Sequence, residues 1–119
     1  MSKLPPLILL ALVATALHAF PVEGSVEAGK AKSGTCVACH GADGNSPNPE
    51  WPSLAGQHET YIVAQLEAFK AGERQNALMS PMAAGLSEQD MADQAVDFSA
   101  QALPPKETDP QYLTRVEEL

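Results

Sequence analysis

The 119-residue sequence predicts a small all-α domain of three to five short helices. Apolar residues recur at steps of three and four in two stretches, Ile62 to Phe69 and Met91 to Ala102. No segment alternates apolar and polar residues as a half-buried strand would. The periodic stretches are separated by loops rich in turn formers, "GADGNSPNPEWPSLAG" and the segment holding "LMSPMAAG".

Taken in order, residues 1–19 read as an export signal. Lys3 supplies a positive start, Leu7 to Leu17 ("LILLALVATAL") an apolar run, and the expected cut follows Ala19, with Ala16 as the alternative. Such a run is shorter than the roughly 20 residues that span a bilayer. An uncleaved N-terminal anchor is the other reading, and only in that case would the chain meet a membrane. Residues 20–105 would then form the folded domain, and 106–119 a tail with a short helix opened by Asp109 and Pro110. Within the domain, Ser25 is placed to cap a helix running from Val26 towards Cys36, a weak helix former with two glycines. The long loop Gly41–Gly56 carries Trp51 and Leu54, so part of it should pack on something apolar. "ETYIVAQLEAFKAG" is the clearest helix, with Lys70 in its last turn and Gly72 as its cap. Glu73–Gly85 reads as irregular. Ser87 opens the last helix in a capping box with Asp90, and Met91, Ala95, Phe98 and Ala102 line one face before Pro104 and Pro105 stop it.

Without residues 1–19 the chain keeps six basic against 15 acidic residues, a net charge of −9. That excludes nucleic-acid binding, which needs a basic surface. It suits redox protein partners with a basic docking patch, because complementary fields speed encounter. The apolar residues are few for a domain of this size, which would be marginal on its own core.

Both cysteines lie in "GTCVACHGADGN", with His40 directly after Cys39. A disulfide between Cys36 and Cys39 would close a very short ring and restrain little of the unfolded chain. A structural zinc site needs four ligands, and beyond this cluster the exported chain offers only His58. A thiol redox pair would want alternating strands and helices. Cys-x-x-Cys-His is also the attachment signature of c-type haem. The two thiols form thioethers with the two haem vinyl groups, and the adjacent histidine is held under the iron as its fifth ligand. The export signal and the sparse core agree with one covalent haem c on Cys36 and Cys39, ligated by His40.

The stretches "AGKAKSGTCVACHGADGNS", "WPSLAGQHETYIVAQLEAFKAGER" and "MSPMAAGLSEQDMADQAVDFSAQ" together resemble the class I c-type cytochromes. The likeness is to small bacterial periplasmic monohaem members and to single halves of dihaem periplasmic cytochromes. It implies a class I cytochrome c bundle around one haem, with the N- and C-terminal helices crossing, and a methionine as the sixth ligand. Register from "LSEQD" assigns that role to Met79, seven residues before Leu86. Met82 then becomes a pocket residue, Met91 core packing, and His58 an outside candidate. The resemblance further implies that the Pro52 carbonyl accepts a bond from the His40 ring, that Arg74 lies near the haem propionates, and that Gly29 lets the terminal helices approach with Phe98 beside it. Two positions depart from the family: Gln94 and Asp97 stand where relatives commonly have Leu and Tyr, which would put polar groups at the helix contact. The tail resembles the start of a second haem domain.

The function these readings imply is a periplasmic one-electron carrier with His40/Met79 ligation, without a substrate of its own. One alternative is an electron-transfer subunit of a larger dehydrogenase or oxidase. The other is an open-site haem enzyme or gas binder.

Overall fold

The structure, a computed structural model, describes residues 22–105. The signal at 1–19 and the tail helix lie outside the described residues. All regular structure within them is α-helical: α1 Val26–Lys32, α2 Gly34–His40, α3 Glu59–Ala71, α4 Met79–Ala84 and α5 Glu88–Ser99. The all-α expectation therefore holds, with three corrections to its elements.

The first helix does not run through to Cys36. Ser25 caps α1 as expected, accepting from the Ala28 amide at 3.3 Å. At Ser33, however, the chain turns, and the Ser33 hydroxyl donates to the Lys30 carbonyl at 3.0 Å. That bond satisfies one of the carbonyls a helix end leaves free. The Ser33 carbonyl then accepts from Cys36 and Val37, both at 2.9 Å, and starts α2.

The second correction is α4, which occupies part of the stretch read as irregular. Its entry is organised by Asn76, whose side-chain oxygen accepts from the amides of Leu78 at 2.9 Å and Met79 at 3.0 Å. Pro81 falls in the first turn of α4, where its missing amide hydrogen costs nothing. The third correction is the end of α5. It stops at Ser99, short of Ala102 and the prolines, and Gly56 of the long loop donates to the Phe98 carbonyl at 3.0 Å there.

The other local expectations are met. Gly72 closes α3 in the left-handed region at φ 78°, and the Arg74 amide donates back to Ala68 at 3.0 Å. Ser87 and Asp90 form the reciprocal capping box. Lys70 Nζ donates to the Leu86 carbonyl, fastening the end of α3 to the α4–α5 turn.

Packing is organised by α5, which meets both α1 and α3. Phe98 and Ala95 join Ile62 of α3 in the core, and Cys36, Val37, Leu54, Val63 and Leu66 pack around them half-buried. Against α1, the contact is made at Gly29. A Cβ there would stand 2.1 Å from the Asp93 carbonyl oxygen and 2.7 Å from the Asp97 Cβ. The atoms nearest Gly29 are thus those of the Asp93 carbonyl and the Asp97 Cβ, while Phe98 packs with Ala95 and Ile62.

Around this contact lies a polar clasp. The buried Asp93 carboxylate accepts from the Ser25 amide at 2.8 Å, Gln89 Nε2 at 3.0 Å and Lys32 Nζ at 2.9 Å. Lys32 also reaches Asp90 at 2.8 Å. The Lys32 hydrogen bond is the largest influence holding both carboxyls below their ordinary range, and its bonds to Asp90 and Asp93 raise Lys32 itself.

Two outcomes follow. Gly29→Ala should lose about 1–3 kcal/mol of unfolding free energy in denaturant titrations, the usual cost of forcing extra atoms into a packed contact. Asp93→Asn should lower stability at neutral pH, and its deficit against wild type should narrow as pH falls. The sign is fixed by the depressed folded-state carboxyls, whose contribution is complete above the unfolded value of 3.8 and is lost as pH falls through the folded values. Lys32, raised from 10.5, loses its contribution only on the alkaline side. A Lys32-linked clasp is disproved by parallel acid-limb profiles for the two proteins.

Candidate haem site

The site is built on α2. Cys36, Cys39 and His40 stand at i, i+3 and i+4, so one turn of helix presents all three on one face. Cys36 and Cys39 are not joined to each other. Cys36 is half-buried against the Ile62–Ala95–Phe98 cluster, and this burial pushes its thiol up from the ordinary value.

His40 is only 7% exposed. Its Nδ1 lies 2.7 Å from the Pro52 carbonyl oxygen. A carbonyl can only accept, so Nδ1 carries a proton, and in the neutral ring Nε2 keeps its lone pair. Such a bond also fixes ring orientation and raises the basicity of the free nitrogen. The loop that supplies Pro52 is itself anchored: Leu54 and Ala55 donate to the Gly44 carbonyl at 2.8 and 3.0 Å. Leu54 packs on the core cluster and Trp51 is half-buried, as their place in a polar loop suggested.

These residues fit a covalent haem. The cysteines are spaced and faced for two thioethers, the imidazole offers one free nitrogen, and the apolar cluster lies directly against Cys36. The zinc alternative gains no support: among the described residues no group of three or more His, Cys, Asp or Glu side chains could hold a metal ion.

The methionines sort by burial. Met91 is 2% exposed inside the core, so it is a packing residue. Met79 is half-buried at the start of α4, which packs on α3. Met82 is 55% exposed. His58 is exposed beside the start of α3, where its side chain makes no cap bond. Arg74 lies over the Phe69 ring at 4.5 Å and donates to Gln65 Oε1 at 2.6 Å, so its guanidinium is held at the end of α3. Asp93 and Lys32 were not singled out from the sequence. Their only local sign was an acidic pair on α5 at i, i+3, and nothing nearby marked Lys32 as its partner.

An all-α domain with this site defines a c-type cytochrome, and comparison bears that out. Residues 26–98 match the Cytochrome c family model, and the chain belongs to that family as a class I member carrying one covalent haem c through Cys36 and Cys39. Within it, the chain is similar to cytochrome c4 of Pseudomonas aeruginosa, 43% identical over 120 residues that cover 100% of this chain and 58% of the relative. Cytochrome c-554(548) of Halomonas halodenitrificans is 48% identical over 81 residues, covering 66% of this chain and 98% of the relative. The crystal structure of reduced recombinant cytochrome c4 from Pseudomonas stutzeri superposes with a TM-score of 0.71 at 41% identity, over 80% of this chain and 55% of that one. The chain thus spans a little over half the length of these cytochrome c4 relatives and resembles one half of a dihaem cytochrome. Among the described residues, no helix is long and apolar enough to cross a membrane.

Of the eight buried apolar residues among those described, four are alanines: Ala55, Ala83, Ala92 and Ala95. A core this slight needs its prosthetic group. The doubly substituted Cys36→Ala/Cys39→Ala chain should therefore lose the cooperative thermal transition in circular dichroism. A sharp, wild-type-like transition without haem would show that the polypeptide core suffices.

Proposed function

We propose that this chain is a periplasmic one-electron carrier whose iron is ligated by His40 Nε2 and Met79 Sδ. The observation that carries the reading is the 2.7 Å contact between His40 Nδ1 and the Pro52 carbonyl, which leaves one imidazole nitrogen free on the same helical turn as both cysteines. The haem supplies an iron that exchanges one electron between Fe(III) and Fe(II). The protein's part is to hold its ligands still, so that little reorganises as the electron moves. α2 and the Pro52 loop hold His40 from one side. Asn76 fixes the start of α4, and with it the backbone of Met79. A neutral thioether is a soft ligand that favours the reduced iron. The half-burial of Met79 against the exposure of Met82 supports the register argument for Met79.

The export signal read at residues 1–19 supports a periplasmic location. The acidic balance, 15 acidic against 7 basic residues in the whole sequence, supports transient docking to redox proteins with basic patches. The half-length match to the cytochrome c4 relatives favours one further reading, an electron-transfer unit that works beside a second redox unit. Native mass measurement of the purified protein separates these readings: a free carrier gives the mass of one chain with one haem.

The ligand assignment is tested by Met79→Ala and Met82→Ala. Only Met79→Ala should lose the methionine–iron charge-transfer band and gain carbon monoxide binding. A Met82→Ala protein that loses the band instead moves the ligand to Met82. Ready carbon monoxide binding by the wild type defeats the carrier reading and favours an open-site haem protein.

A further inference from the structure

The bond from His40 Nδ1 to the Pro52 carbonyl needs a loop that keeps that carbonyl in place, and one residue grips the chain on both sides of it. Ser46 is half-buried. Its hydroxyl lies 2.9 Å from the Asn48 carbonyl oxygen and 3.3 Å from the Cys39 carbonyl oxygen, with its one proton between them. The same hydroxyl accepts from the Asn48 amide at 3.3 Å. The Asn48 carbonyl also accepts from the Trp51 amide at 3.1 Å, closing the turn that runs directly into Pro52. On the other side of Pro52, the Ser53 hydroxyl accepts from the Ser46 amide at 3.0 Å. Ser46 thus ties together the carbonyl of the cysteine next to His40, the turn before Pro52, and the residue after it. The Pro52 carbonyl belongs to the peptide plane shared with Ser53, and the proline ring fixes φ at Pro52. With both flanks fastened, little freedom remains to turn that carbonyl away from the imidazole.

We infer that Ser46 is a positioning residue for the iron ligand: it holds the Pro52 carbonyl on His40 Nδ1 and so helps set the reduction potential of the haem. The inference rests on the reading of His40 as a ligand. Ser46 acts through the Pro52 carbonyl. The bond it supports draws the ring proton towards oxygen and raises the basicity of Nε2. A more basic nitrogen stabilises Fe(III) more than Fe(II), because the oxidised iron carries the greater positive charge. Hydrogen bonds around the ligands are among the means by which a protein tunes such a centre. Loosening the bond therefore favours the reduced iron and raises the potential.

The experiment compares the haem-loaded wild type with its variants by spectroelectrochemical titration and by proton NMR of the reduced protein. Ser46→Ala should shift the midpoint potential to a more positive value. In the same variant the His40 Nδ1 proton should exchange with solvent roughly 2- to 10-fold faster, the range one lost hydrogen bond carries. Ser53→Ala, which removes the grip on the other flank, should move both readings in the same direction. Ser46→Thr keeps the hydroxyl and should hold both at wild-type values. Ser87→Ala removes a cap bond of α5 outside the loop, and should lower the denaturation midpoint alone. Wild-type potential and exchange in Ser46→Ala overturn the inference. So does an equal shift in Ser87→Ala, because general loosening would then account for it. If Ser46→Ala does not retain haem, Ser53→Ala decides, and a wild-type potential there overturns the inference. Should neither retain haem, both are folding residues and the inference also fails. Wild-type His40 ring protons without the upfield shift of a haem-bound imidazole would defeat the ligand reading itself, and they are read separately from the variants.

Discussion

The close approach of α1 to α5 at Gly29 is the contact on which the rest of the molecule depends. With no side chain at Gly29, α1 lies directly against the backbone of Asp93 and beside Asp97. This sets the rotation of α5, and so directs Phe98 and Ala95 towards Ile62 of α3. The same rotation gives Cys36 and Val37 of α2 an apolar surface to rest on. The haem-bearing turn is therefore held indirectly by a glycine in the preceding helix.

The seam around that contact is polar, with Asp93, Gln94 and Asp97 all buried. The structure accommodates this unevenly. Asp93 is fully engaged by Ser25, Gln89 and Lys32, so its burial ties the N-terminal segment and α1 to α5. Gln94 is half satisfied, by the Gly29 carbonyl. Asp97 Oδ2 has no hydrogen-bond partner among the described residues.

The site on α2 follows a different logic, in which nearly everything is local. Two cysteines and a histidine at i, i+3 and i+4 must share a face if the segment is helical, and Ser33 makes it helical by accepting its first amides. The one long-range element is the Pro52 carbonyl, delivered by a loop whose own bonds converge on Gly44. The bond from His40 to Pro52 selects the tautomer and hence which nitrogen is free, so the loop completes the chemistry that the helix begins.

The sequence by itself determined the features that depend on a few neighbouring residues. These are the Cys36–Cys39–His40 turn with its covalent haem, the caps at Ser25, Ser87 and Gly72, the periodic helix α3, and the family to which they belong. The break at Ser33, the short α4 and the early end of α5 were missed. Each is set by side-chain and loop bonds that compete with helix propensity: Ser33 to Lys30, Asn76 to the amides of Leu78 and Met79, and Gly56 to Phe98. Only the tertiary structure decided the partner of Asp93, the group facing Gly29, and the fate of Gln94 and Asp97. Lys32 and Asp93 lie 61 residues apart in the chain. No local pattern reports a pairing over that distance, because burial depends on which helix faces arrive together once the chain has folded.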